Sequence, residues 1–470
     1  MTDEICNRIR HVIAPFLLCA IAFAAWHLSA AQTPDQTVAL LSELIRANTS
    51  NPPGNEGLIG DVLGPRFKAL GFDTDIVPTP EPGKSHFIAR LRGDGSKRPI
   101  LLAAHADVVG VEREKWTLDP FAGVVRDGYV FGRGALDFKG GMAVFARAVM
   151  MLAERKVPLA RDVIFLVEAD EEQGRYNTTW LAQDHWSKID CEFALNEGGW
   201  IVKRPDGRVR YVSISTADKI SVSVVLTSRG TSTHSSMPRP DSAIFGLARA
   251  LAKLADHETD VTLTPSTRRF FEMLARTSTP PMSTQFRDLT SGDPDRVRRA
   301  DREISKDPLL HAIMRNTIAP VLMNAGFRAN VIPGSAEATV NVRLLPGTDP
   351  AEMLREIQRV IADPSIEVRF GSQPAAAAPA SSEDTDLYRA LEKQSRAQFP
   401  GVDVATYVFQ AGTDARAWRL RGVPVYGIYP YPVAAVDLER MHGNDERVSV
   451  DSLRQGTELI FRTLVDVAGR

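Results

Sequence analysis

The chain has 470 residues, of which 44% are hydrophobic and 24% charged, with a net charge of −2. These fractions are ordinary for a soluble globular protein, and the length provides for two or three domains. The near-neutral balance removes any electrostatic case for nucleic acid or an anionic membrane as partner.

The N-terminus departs from this average. Arg8 and Arg10 precede an apolar run from Val12 to about Trp26, and small residues follow. This is the pattern of a secretory leader, with Ser29 and Ala31 suiting the positions before a cut at Ala31–Gln32. The expectation is a signal peptide over 1–31 and a periplasmic or secreted mature protein, not held in a membrane once the leader is removed. An uncleaved anchor is the alternative. Without the leader, Cys191 is the single remaining cysteine, so no internal disulfide can form.

An amphipathic helix is predicted over Thr37–Ala47 and a second over Glu56–Leu70, closed by Gly71. Phe72–Val77, Phe87–Leu91 and Ile100–Ala104 read as strands. A helix follows over Gly140–Arg155, then strand Val163–Glu168, a short helix near Thr178–Asp184, strand Phe193–Leu195 and a hairpin over Val202–Arg210. Strand–helix alternation of this kind predicts an α/β domain with a largely parallel sheet and helices on both faces. Near Thr216 the pattern changes. Strand Ile220–Leu226, helix Ala243–Leu254, strand Glu337–Leu344, helix Pro350–Ile361 and strand Ile366–Phe370 predict a smaller inserted α+β unit of βαβ–βαβ type. A charge-dense interruption, about Asp256 to Met323, divides it and reads as a solvated helix face or loop. Gln373–Ser382 reads as a return linker, and a final helix starts after Ser449. The expected organisation is 32–215 and 373–470 for the first domain, with 216–372 inserted as a lid.

The chemistry-bearing residues cluster at strand exits, where open α/β sheets place their sites. Strand Ile100–Ala104 delivers His105 and, two residues on, Asp107, which on extended backbone lies on the same face. A Gly-rich turn delivers Asp137 just before a helix. The run VIFLVEADEEQG ends in Asp170, Glu171 and Glu172, ALNEGG carries Glu197, and His442 stands in ERMHGNDE. Imidazoles with carboxylates and no thiolate suit Zn²⁺, and less exclusively Mn²⁺ or Co²⁺.

The motifs HADVV, GRGALDFKGG, ADEEQG, NEGG, THSSMP, ANVIPGSAEATVNVRLLPG, AGTDAR and MHGNDE occur in the order found in M20 metallopeptidases, and from Thr37 onward the chain resembles that family. It looks most like the carboxypeptidase and N-acyl-amino-acid hydrolase branch. The resemblance implies two zinc ions bridged by Asp137, one completed by His105 and Glu197, the other by Glu172 and His442. Asp107 would orient His105. Glu171, the middle acid of D-E-E, would be the general base in preference to Asp170. It also implies a cis peptide bond between Asp137 and Phe138. His234 would stabilise the oxyanion, arriving from the partner subunit in dimeric members, and a homodimer through the lid is the corresponding expectation. Arg343 and Asn330 match positions that hold the substrate carboxylate, and Gly412, Thr413 and Asp414 match a loop beside the substrate.

The resulting expectation is a hydrolase for the amide bond next to a free carboxylate, in small peptides or N-acyl amino acids. A deacylase of small N-acyl compounds shares every motif. A catalytically dead binding protein would predict a broken ligand set, and here the set is complete. Gly132, Gly134, Gly140 and Gly141 do not form the dinucleotide-binding G-x-G-x-x-G, so that class is set aside.

Overall fold

The computed structural model describes residues 35–470; the predicted leader lies outside the described residues. Chain order begins with α1 (Gln36–Arg46), α2 (Gly57–Ala69), β1 (Asp73–Pro78), β2 (Ser85–Leu91), β3 (Ile100–His105), β4 (Val124–Arg126), β5 (Tyr129–Phe131), α3 (Lys139–Glu154), β6 (Val163–Glu168), α4 (Thr178–Asp184), β7 (Phe193–Lys203) and β8 (Val209–Asp218). The chain then leaves the first domain through β9 (Ile220–Arg229), β10 (Thr233–His234) and α5 (Ala243–Ala255). Four helices follow: α6 (Pro265–Thr277), α7 (Met282–Leu289), α8 (Pro294–Ile304) and α9 (Pro308–Met314). Next come β11 (Thr317–Ala325), β12 (Val331–Ile332), β13 (Ser335–Leu344), α10 (Pro350–Ile361) and β14 (Ile366–Phe370). The return consists of α11 (Asp386–Gln398), β15 (Asp403–Phe409), β16 (Val425–Val433), β17 (Arg447–Ser449) and α12 (Val450–Ala468).

The first domain is built on an eight-stranded sheet of order β1-β2-β6-β3-β7-β16-β8-β15. Its centre is parallel, with β3 between β6 and β7 and β16 beside β7. Period-two alternation sends Leu102, Ala104, Phe165 and Val167 to one face, under α1, α3 and α12. Leu101, Ala103, Ile164 and Leu166 face the other, under Leu181, Ala182 and Trp418. This is the mixed, mostly parallel α/β sheet with helices on both faces that the strand–helix alternation predicts.

Two elements differ from the sequence-based reading. β7 does not stop at Leu195 but runs through the glycines of NEGG to Lys203. A Cβ on Gly199 would meet the Ser213 carbonyl oxygen at 2.1 Å, so the glycine lets β7 continue against β8. The lid is also not one continuous span over 216–372. Its four-stranded antiparallel sheet, β11-β13-β9-β14, is covered by α5 and α10. Helices α6 to α9 instead pack on the first domain. Phe270 stands edge-on to Tyr211 at 5.4 Å and to Tyr407 at 5.2 Å. The apolar face of α6 (Phe270, Phe271, Leu274) drives that docking by leaving water. The charge-dense run becomes α8, a helix that buries Ala300 and Ile304 and solvates the rest.

Candidate active site

His105 closes β3 at the carboxyl edge of the parallel strands. Glu197 lies in the neighbouring β7, and Glu171 and Glu172 occupy the turn after β6. Asp137 precedes α3, with a cis bond to Phe138. His442 enters from the late loop with φ +58°, a left-handed conformation that costs a non-glycine residue roughly 1–2 kcal/mol.

These side chains converge. His105 Nε2 lies 3.2 Å from Asp137 Oδ1 and 3.6 Å from Glu197 Oε2. His442 Nε2 lies 3.0 Å from Asp137 Oδ2 and 3.2 Å from Glu172 Oε1. Asp137 thus gives one oxygen to each trio, and within each trio the ligand atoms lie within 4.8 Å of one another. A tetrahedral ion with ligands about 2.0–2.1 Å away separates its ligand atoms by roughly 3.3 Å. The observed spacings fit two such ions sharing Asp137. Cys191, the one cysteine among the described residues, is buried away from the site beneath α4.

The electrostatics fit a cation centre as well. Burial would raise the Asp137 carboxyl, but hydrogen bonds from His105 and His442 hold it well below the usual range. Burial would lower His105, yet the carboxylates of Glu197, Asp107 and Asp137 lift it well above an ordinary imidazole. Hydrogen bonds to Asp137 and Glu172 raise His442 to about 10. Burial raises Glu197 to about 7. Both histidine shifts mark a centre that favours positive charge, as a bound cation would supply.

Asp107 organises the surroundings. Its Oδ1 accepts from the Glu171 amide at 3.1 Å; its Oδ2 accepts from the Glu172 amide at 3.0 Å and from Asn51 Nδ2 at 2.9 Å. The His105 Nδ1 lies 3.0 Å from the Asp107 carbonyl oxygen, which orients the ring through the backbone rather than the carboxylate, 3.6 Å away. Asp170 is buried with its oxygens taken by Asn51, Lys84 and the Arg175 and Tyr176 amides, so it holds the turn together. Glu171 instead faces the cavity, and burial with the nearby Glu197 charge lifts its carboxyl well above the ordinary range.

The cavity holds about 570 Å³ and is lined by Asp137, Glu171, Glu172, Glu197 and His442 together with Arg343, Gly412, Thr413 and Asp414. A Cβ on Gly412 would stand 3.7 Å from the Lys219 carbonyl and 3.9 Å from Arg343 Nη1, an ordinary contact, so the protein itself does not crowd that glycine. Thr413 Oγ1 donates to Asp218 at 2.6 Å. Burial lifts Asp414 to about 6, against hydrogen bonds with Glu168 and Thr178. His234 and Asn330 do not line this cavity. They lie on the lid ribbon β10–β12, where the Ser235 amide donates to the Asn330 carbonyl and both side chains are exposed.

Sequence reasoning missed three participants. Tyr429 Oη donates toward Asp137 Oδ1 at 3.0 Å and Glu197 Oε2 at 3.1 Å, with its ring stacked on Trp200 at 4.2 Å. Glu446 holds the loop that carries Asp137. Asn51 bridges Asp107 and Asp170.

Fold and site together define an α/β protein with a paired candidate metal centre at its strand exits. The family model for peptidase family M20/M25/M40 matches residues 101–466, and the chain belongs to that family. A probable carboxypeptidase S-like 2 of Dictyostelium discoideum is 32% identical over 378 residues, spanning 79% of this chain and 72% of that one. The human N-fatty-acyl-amino acid synthase/hydrolase PM20D1 is 30% identical over 390 residues, 81% of this chain and 76% of its own. Among solved structures, the M20 family metallo-carboxypeptidase Sso-CP2 from Sulfolobus solfataricus shares the fold with a TM-score of 0.69 at 17% identity, covering 92% of this chain and 99% of that one. Human carnosine dipeptidase 1 does so at 0.66 and 18%, covering 92% and 96%.

Proposed function

We propose that the chain is a periplasmic or secreted di-zinc hydrolase that cleaves the amide bond next to a free carboxylate in short peptides or N-acyl amino acids. The observation that carries this reading is the pairing of two ligand trios on Asp137 with Arg343 lining the same cavity. Arg343 is the one arginine or lysine among the described residues lining it. Its planar fork suits a substrate carboxylate in bidentate fashion. Zinc held by His105, Asp137, Glu172, Glu197 and His442 would polarise the scissile carbonyl and acidify a water. Glu171, pointing into the cavity beside them, takes the proton of the attacking water and returns it to the leaving nitrogen. Thr413 and Asp414 line the substrate's side of the cavity.

His234 supplies an N–H to the developing oxyanion from a second copy of the chain. Support for a dimer comes from the lid. The outer strand β11 exposes Val321, Leu322 and Met323, with Phe327 just beyond. An exposed apolar edge of this kind, past the irregularity at Pro320, can pair with its own copy. The secretory reading rests on the leader; among the described residues no helix is long and apolar enough to cross a membrane.

The names of the human PM20D1 relative and of carboxypeptidase S-like 2 favour N-acyl amino acids and peptides respectively as first substrates. The test is a panel of dipeptides and short- and long-chain N-acyl amino acids with the zinc-loaded protein and its Glu171→Gln variant. The expected result is hydrolysis that needs metal and falls ~10²–10⁴-fold in the variant while zinc stays bound. Zinc binding with no turnover of any carboxylate-bearing amide would refute the substrate class.

A further inference from the structure

The loop that presents Asp137 leaves the small β4–β5–β17 sheet at the end of β5, and beyond that point the carboxylate of Glu446, the residue before β17, gathers its amides. Glu446 is fully buried, and its two oxygens accept four hydrogen bonds. Oε1 accepts from the amides of Leu136 at 2.7 Å and Asp137 at 3.0 Å. Oε2 accepts from the Gly134 amide at 3.1 Å and from Arg133 Nη1 at 2.7 Å. The acceptor capacity of a carboxylate, about four sites, is thereby filled. The Glu446 carbonyl takes the Gly132 amide at 3.0 Å. Arg133, nearly buried with its guanidinium 5.2 Å from the Trp116 ring, reaches on through Nη2 to the His442 carbonyl at 3.2 Å.

The two ligand trios therefore rest on different supports. His105 ends β3 in register with Glu168 of β6, and Glu197 lies within β7 where its pairing with β16 is irregular. Asp137 Oδ1, on their side, also accepts from Tyr429. His442 has no strand beneath it. Its left-handed backbone is held by Arg133, whose other nitrogen is held by Glu446. We propose that Glu446 is a positioning residue for the second ion, setting the affinity of the Asp137–Glu172–His442 site chiefly through the Arg133–His442 link, which serves that trio alone, whereas the Asp137 backbone it also holds is common to both. The inference rests on the di-zinc reading above.

The experiment titrates the full apo chain with Zn²⁺ against a chelating competitor, for the wild type and for Glu446→Gln, Arg133→Lys, His442→Ala and His105→Ala. The wild type is expected to take two ions. In Glu446→Gln the step that His442→Ala weakens should loosen ~10–100-fold, the range for residues that orient metal ligands, with the step that His105→Ala weakens changed by less than ~3-fold. Its curve should follow that of His442→Ala and not that of His105→Ala. A general loss of structure would weaken both steps together, and a Glu446→Gln chain that does so, or that binds both ions as the wild type does, overturns the proposal. Arg133→Lys keeps the buried charge and the backbone bonds to Glu446 but loses the reach to His442. It should show the same selective loss even where Glu446→Gln does not fold, and unchanged binding in it overturns the proposal equally. A wild type that takes fewer than two ions instead refutes the di-zinc reading itself, and the proposal with it.

Discussion

Replacing Asp107 by asparagine tests whether one side chain sets the geometry of the base. The carboxylate accepts three N–H groups: Glu171 on Oδ1, and Glu172 and Asn51 on Oδ2. An amide keeps one acceptor and turns the other into a donor. With its nitrogen at the Oδ2 position it faces two N–H groups. With the nitrogen at Oδ1 it faces the Glu171 amide alone. Asn51 cannot turn to compensate, because its Nδ2 also serves Asp170 at 2.8 Å. The second orientation is therefore the cheaper, leaving one N–H unpaired at a cost of about 1–3 kcal/mol. The group released is the amide of the base, while Glu172 and the backbone contact to His105 stay in place. Asp107→Asn should accordingly bind zinc within ~10-fold of the wild type but lose ~100-fold in kcat, as expected for a reacting group displaced by about 1 Å. Chelator competition and steady-state kinetics on the same preparation measure both quantities. A variant with wild-type kcat would refute the reasoning, as would one whose activity per bound zinc is unchanged.

Arg343→Ala should lower kcat/KM by ~30–1000-fold, the loss of about 2–4 kcal/mol from a charge pair formed on binding. The same variant should leave substrates with an amidated carboxyl terminus unaffected, which steady-state kinetics on matched substrates will show. Zinc affinity should rise with pH between 6 and 9. His442, raised to about 10 by Asp137 and Glu172, keeps its proton across that range, and binding must expel it. Calorimetry in buffers of different ionisation enthalpy should register the release, and a pH-independent affinity would contradict it. Leu322→Glu places a charge on the exposed edge of β11 and should convert a dimer to monomer in light scattering, with activity lost in parallel through His234.

What could be read from the chain alone followed the locality of each signal. His105, Asp137, Glu172 and Glu197 each sit at the end of an apolar run or a glycine turn, so spacing and strand patterning flag them without tertiary knowledge. Strands and helices buried on one face, such as α10 and β14, were legible to the residue for the same reason. β11 was not, because an edge strand with Pro320 inside it and apolar residues facing outward shows neither alternation nor burial. Helices α6 to α9 were legible only as an interruption with one solvated helix face or loop, and not as part of the first domain, since an amphipathic face does not name its partner. Tyr429 and Glu446 were invisible for a different reason. Tyr429 reaches Asp137 across 292 positions and Glu446 reaches Arg133 across 313, and neither belongs to a local pattern.

The division between legible ligands and illegible supports has a physical basis. An ion needs particular atoms, so ligand residue types are restricted and repeat as motifs. A support needs only an acceptor or donor that is buried and rigid, and many residue types in many places can supply one. Three of the five candidate ligands, Asp137, Glu172 and His442, stand on loops or turns rather than strands. Loops are the mobile part of most folds. Here the loops are fixed by buried carboxylates that accept backbone amides: Asp107 for Glu171 and Glu172, Asp170 for Arg175 and Tyr176, Glu446 for Leu136 and Asp137. Each carboxylate takes the place of a missing neighbouring strand. It pairs amides that would otherwise be buried without partners, at a cost of about 1–3 kcal/mol each. The arrangement pairs the amides of the loops that carry Asp137 and Glu172, and it leaves the cavity side open to a substrate that must enter and leave. Asp107→Asn and Glu446→Gln therefore interrogate one principle at two places, the base in the first case and the second ion in the second. Opposite outcomes in the two variants would separate the turn after β6 from the Asp137 loop as independent devices.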